Sequence, residues 1–273
     1  MKQILVATDF SVCASNAMEY ALHLAKKLDR TVAVVHAIGA NEGVENNILN
    51  AFYIKEYQES KKGALSKWIG TFTEKEEFKD ITVQTVCEVG SVSGVISKYV
   101  SENAVEILVM GMVGSSGITD IFGSNVHTMI SKALLPTLIV PIGTKFEKTP
   151  VITLATDFET KISQQDVAGL TGLVQGIDDN RLQVLNVIEG NAWRSNEKGE
   201  QELRQMFNEI ALSFVYISEE SAGEGILNFI ASNNTSILCL VKHHHNIIYR
   251  IFNSSTVNKV LSKSIKAILV LHA

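Results

Sequence analysis

Proline is scarce in this chain, at three of 273 residues, while hydrophobic residues make up 46%. That balance excludes a collagen-like or proline-rich disordered polymer and leaves a globular protein with ample core. Cysteine is as sparse. Cys13, Cys87 and Cys239 lie far apart with no C-x-x-C or ligand-like spacing, so they read as small core residues of a reducing compartment rather than disulfides, zinc ligands or a redox pair. A basic excess is also missing: the formal charge is −5, which argues against a nucleic-acid or anionic-membrane partner. No apolar run approaches the ~18 residues of a membrane span. The opening MKQILVATDF reaches Asp9 after a run too short for a signal peptide. The expectation is a cytoplasmic protein. No Ser-His-Asp group, activated cysteine or carboxylate pair can be assigned, so an enzyme, at most a slow nucleotide hydrolase, ranks below a binding protein.

What is present is most informative over residues 107–141. An apolar run at 107–110 breaks into a loop spaced by Gly111, Gly114 and Gly117. Gly123-Ser124 then opens an amphipathic segment that ends in a second apolar run at 138–140. This reads as strand, phosphate-sized loop, helix, strand. Glycine lets main chain approach an anion closely, and a helix start offers unpaired N–H groups and the positive end of its dipole. The same glycines also suit an ordinary turn after a strand.

Upstream, residues 4–7 form a continuous apolar run, as in a strand buried on both faces of a parallel sheet. Ser11 is placed to cap a helix in which Ala14, Ala17, Met18, Ala21, Leu22, Ala25 and Leu28 recur at helical spacing. A second strand is expected at 31–38, a charged helix around 56–77, a third strand at 81–86 and a helix at 91–100. Residues 143–150 are short, polar and flanked by prolines, and read as a linker.

Beyond that segment the chain repeats itself. Ala-Thr-Asp-Phe at 155–158 is identical to 7–10, 237–240 restates 107–110, 251–254 restates 121–124, and 268–270 restates 138–140. The offset shrinks along the chain, so the second copy is shorter. Residues 181–188 still match the second strand, which puts the missing length in the arm at 39–80. Each copy reads as five strands alternating with four helices. Such alternation implies a parallel, doubly wound sheet whose ligand crevice lies beyond the carboxyl ends of its strands.

Gly111-x-x-Gly114, the spacer, Gly123-Ser124 before a helix, and the PTLIVP strand together resemble the nucleotide-loop signature of the universal stress protein family. The whole chain resembles a tandem, two-domain member. The resemblance implies an α/β fold of two doubly wound five-stranded parallel-sheet domains, of the adenine nucleotide alpha hydrolase-like kind. They would span residues 1–143 and 150–273, each with strand order 3-2-1-4-5. It implies ATP, with Mg2+, as the ligand of the first domain. Thr8 and Asp9 would anchor the nucleotide, Ala37 and Met110 touch adenine, Gly111 and Gly114 line the ribose and phosphate path, and Gly123, Ser124 and Asn125 hold phosphates. Two departures are visible. The spacer at 115–122 is one residue shorter than the family's usual one, and Met112 and Val113 stand where ATP-holding members often carry His or Arg. Asp9 also suits a plain turn after a strand, and His36 reads as a strand histidine satisfied by its neighbours rather than a catalyst.

The second copy keeps Asp157 and Ser254, but Val241, His244 and Asn253 stand where the first has Gly111, Gly114 and Gly123. Side chains there would occupy space a phosphate needs, so this copy is expected to bind no ATP in the family's manner. His243, His244 and His245 are consecutive and cannot easily converge on one ion, so no metal is expected there. The family's pairing through last strands implies internal pairing of 138–142 with 268–271, or a homodimer. The other reading is an interaction module without nucleotide, acting through its surface and the arm at 39–80.

Overall fold

The computed structural model describes residues 2–39, 51–112, 129, 135–158, 162–176, 180–190, 196–242 and 266–272. Apolar runs become strands and capped amphipathic stretches become helices. In the first half these are β1 (Gln3–Ala7), α1 (Val12–Leu28), β2 (Thr31–Ile38), α2 (Ala51–Thr73), β3 (Val83–Val89), α3 (Val92–Glu102), β4 (Val105–Met112) and β5 (Thr137–Pro141). The second half contributes β6 (Ile152–Ala155), α4 (Ala168–Gln175), β7 (Arg181–Glu189), α5 (Glu197–Met206), β8 (Ala211–Glu219), α6 (Ala222–Ser232), β9 (Ile237–Lys242) and β10 (Ala267–His272).

All ten strands join one sheet in the order β3-β2-β1-β4-β5-β10-β9-β6-β7-β8. Read inward from either edge, the order is the same: third, second, first, fourth, fifth strand of that half. Every pairing is parallel except the central one, where β5 and β10 run antiparallel with Ile139 opposite Ile268 and Leu138 opposite Leu269.

Strand side chains alternate faces, and both faces are buried. Ile4, Val6, Val32 and Val34 pack under α1 and α2 on one side, in a cluster that continues through Leu170, Leu173 and Leu203 of the second half. Leu5, Ala33 and Val35 pack on the other side with Val95 and Ile96 of α3, in a cluster that reaches Ile226 and Ile230 of α6. Among the described residues no helix is long and apolar enough to cross a membrane.

Three local differences from the sequence reading have physical causes. β3 starts later, at Val83, because Ile81 closes a turn by donating its N–H to the carbonyl of buried Phe78. β4 runs two residues past Met110, with Gly111 paired to Val140 and Met112 to Pro141, so Gly111 belongs to the strand end and not to the loop. The segment after β5 is no loose linker. Asn16 Nδ2 donates to the carbonyls of Pro141 (3.2 Å) and Thr144 (3.1 Å). The Phe146 ring meets Tyr20 edge-on at 5.3 Å, and Ser236 Oγ donates to Glu147 Oε2 at 2.7 Å.

Candidate functional site

The site begins with the four-residue phrase Ala-Thr-Asp-Phe. Ala7 ends β1 with Val35 of β2 on one side and Met110 of β4 on the other. β1 is where the strand order reverses, so the loops leaving its two neighbours part and open a crevice. Thr8 continues the ladder for one bond, N–H to Val35 carbonyl at 3.0 Å. The chain then turns sharply on its own side chains. Thr8 Oγ1 accepts from Phe10 N–H (3.0 Å), Asp9 Oδ1 accepts from Ser11 N–H (3.0 Å), and Ser11 Oγ caps α1 by accepting from Ala14 N–H (3.2 Å). Phe10 sits at φ +66°, in the left-handed region that bulky residues avoid. Its ring is held at 4.5 Å from His36 and 6.0 Å from Trp68.

His36 braces this turn from below. Its Nδ1 lies 2.9 Å from the Thr8 carbonyl, and a carbonyl only accepts, so Nδ1 carries the proton. Nε2 is then an acceptor, buried and without a hydrogen-bond partner among the described residues. The second half builds the same turn: Phe158 has φ +58°, its N–H bonds Thr156 Oγ1 at 3.1 Å, and Asn186 Nδ2 donates to the Thr156 carbonyl at 2.8 Å. An amide doing the same task at the matching position marks His36 as a positioning residue.

Above the turn lies a cavity of about 450 Å³. Thr8, Asp9, Ala37, Met110 and Gly111 all line it, and the structure therefore brings five of the sequence-derived site residues together. Gly114, Gly123, Ser124 and Asn125 lie outside the described residues, as do His243, His244, His245, Asn253 and Ser254. Asp9 is exposed at the rim, whereas Thr8 and Met110 are buried. Val35, Ala37, Ile96 and Met110 give the cavity an apolar flank; its polar side chains are the hydroxyls of Thr8 and Ser91, the carboxylate of Asp9, the imidazole of His36 and the thiol of Cys13. Among the described residues no lysine or arginine lines it. Such a hollow suits a flat apolar ring with hydroxyl-bearing substituents, and anionic groups would have to be met by backbone N–H or a cation.

Gly111 has a packing task besides its place in the cavity wall. A Cβ at this position would stand 2.4 Å from the Cys13 carbonyl oxygen and 2.8 Å from Ala14 nitrogen. The missing side chain thus admits the first turn of α1 against β4, whatever fills the cavity. Val241, its counterpart, is a buried strand residue of β9 in the core cluster. The helix after the second turn, α4, begins only at Ala168, so the close approach that demands glycine in the first half has no described equivalent.

Among the lining residues that the sequence reading did not place at the site are Cys13, Gly90 and Ser91. Ser91 caps α3 through its Oγ, which accepts from Gly94 N–H at 3.1 Å, and the N-termini of α1 and α3 both border the cavity. The signal was there, since Gly90-Ser91 before a helix has the form of Gly123-Ser124. A hollow of about 30 Å³ beside Thr156 and Phe158 in the second half is lined by Ile162 and by Gly199, Glu202, Leu203 and Met206 of α5, so it lies on the α5 side and is not the counterpart of this cavity.

A family model described as the universal stress protein family matches residues 1–141. Universal stress protein YxiE of Bacillus subtilis (strain 168) is 29% identical over 146 residues, covering 50% of this chain and 97% of the relative. The crystal structure of a universal stress protein from Archaeoglobus fulgidus DSM 4304 matches 98% of this chain and 97% of its own, with a TM-score of 0.72 at 18% identity. A structure from Pseudomonas aeruginosa UCBPP-PA14 matches all of this chain and 93% of its own, with a TM-score of 0.54 at 12% identity. At those identities the two structures speak to the fold.

Proposed function

Since the chain belongs to the universal stress protein family, we propose that its first half, residues 1–143, holds an adenine nucleotide as the input of a stress-response or regulatory role. The second half, 150–273, is on this reading a degenerate partner that binds none. One observation carries the proposal: five residues chosen from sequence line a single cavity of about 450 Å³ at the switch point of a parallel sheet.

The chemistry assigns parts to these residues. Adenine lies against Val35, Ala37 and Met110, and the Asp9 carboxylate accepts hydrogen bonds from ribose hydroxyls. Gly111 forms the wall beside α1, and the segment holding Gly114, Gly123, Ser124 and Asn125 carries the phosphates. Micromolar affinity needs about 8 kcal/mol, while one helix terminus gives only ~0.3–1. With no lysine or arginine among the described residues that line the cavity, Mg2+ is the cation that fits the reading, bound together with ATP.

Calorimetric titration with ATP and magnesium, on protein checked for co-purified nucleotide, tests this. Saturation near one ATP per chain, lost in Asp9→Ala, is the expected result. Two per chain would overturn the silent second half. No uptake by an empty preparation would instead favour an interaction module working through its surface.

A further inference from the structure

Away from the cavity, α1 and the turn after α2 bring together three metal-ligating side chains. Glu19 and His23 are four residues apart on α1 and so share one helix face, and Glu77 reaches them from the α2–β3 connection. One ligand atom from each lies within 4.8 Å of the other two. We propose that Glu19, His23 and Glu77 form a binding site for a divalent cation of the zinc type, which fastens α1 to the α2–β3 turn.

The positions of these groups are fixed by what surrounds them. His23 is stacked on Phe146 at 5.7 Å and meets the edge of Phe78 at 4.8 Å, so its ring is held by packing before any ion arrives. Glu77 precedes Phe78, which is fully buried and anchors the turn, and the Glu77 carbonyl accepts from Lys26 Nζ at 2.8 Å. Tetrahedral zinc with bonds of ~2.0–2.2 Å separates its ligands by about 3.4 Å. The exposed Glu77 side chain can close the remaining ångström or so by rotation.

Donor type selects the ion. Two carboxylates and an imidazole, with water in the fourth position, suit zinc or cobalt; magnesium and calcium call for six or more oxygens. The competing occupant is Lys75, whose Nζ lies 3.1 Å from Glu19 Oε1. That pair is close to half exposed on both sides (44% and 45%), and such surface pairs are worth only ~0–1 kcal/mol. A divalent cation on two carboxylates outweighs it.

The test is titration of the full, chelator-treated chain with Zn2+ by calorimetry, alongside its thermal unfolding. We expect one saturable ion that raises Tm. Glu77→Gln should weaken binding at least tenfold while leaving the metal-free Tm unchanged, since Glu77 is exposed, and His23→Gln should abolish binding. Should His23→Gln misfold, Glu77→Gln alone decides. Zinc uptake undiminished in Glu77→Gln would place the ion elsewhere, for instance on the histidines at 243–245, and overturn the proposal. So would the absence of uptake at millimolar Zn2+.

Discussion

Phe10 holds a backbone conformation that costs a bulky residue roughly 1–2 kcal/mol, and the turn around it repays this with three side-chain oxygens. Asp9 is one of them, which gives it a structural duty besides any ligand. The two duties separate by substitution. Asp9→Asn keeps an oxygen for the Ser11 N–H, so stability should change by no more than ~0.5 kcal/mol, while ATP–Mg2+ binding drops at least tenfold on the nucleotide reading. Equal affinity in wild type and Asp9→Asn, measured by calorimetry, would confine Asp9 to the turn. Gly111 gives the opposite pattern. Its Cβ would meet main chain of α1, which cannot move aside as a side chain tip can. Gly111→Ala should therefore cost about 1–3 kcal/mol in a denaturant titration even without nucleotide. A neutral result would mean that α1 shifts freely on the sheet.

Elements were legible where one segment carries its own signal. Ser11 and Ser91 each cap the helix that follows, the alanine-rich face of α1 is buried as its spacing requires, and β2 spans the residues its apolar run marked. Signals that depend on a partner far along the chain were not legible. Nothing local tells that Gly111 faces Cys13, that Phe146 leaves an apparent linker to pack on α1, or that α4 carries a glycine because a carboxylate lies under it. A Cβ at Gly172 would stand 2.5 Å from Glu106 Oε1. Glu106 is buried at the foot of β4 and neutralised by Arg30 Nε at 2.8 Å and Lys2 Nζ at 3.2 Å. Arg30 is the closer and less exposed partner, so Arg30→Ala should lower stability by about 3 kcal/mol, since it strips charge compensation from a buried carboxylate. Lys2→Ala should cost ~1 kcal/mol or less. Paired denaturation curves for the two variants check the order, and a reversal would make Lys2 the main counterion.

At the scale of the molecule, the seam between β5 and β10 decides how the two halves share stability. Both core clusters run across it, and the backbone ladder is continuous from β3 to β8. Two bodies joined by a continuous sheet and a common core gain or lose structure together, so unfolding in urea should be a single transition. The chain supplies a reporter for the test. Of its two tryptophans, Trp68 packs on Phe10 and Phe72 in the first half, and Trp193→Phe leaves it as the sole tryptophan. Trp68 fluorescence and far-UV circular dichroism should then trace the same curve. A ligand bound only in the first half would, in such a unit, protect both halves equally, by ~2.7 kcal/mol at one hundred times its dissociation constant. If ATP instead moved the fluorescence curve and left part of the dichroism behind, the halves would be unfolding separately, and the seam would be weaker than its ladder and its shared core imply.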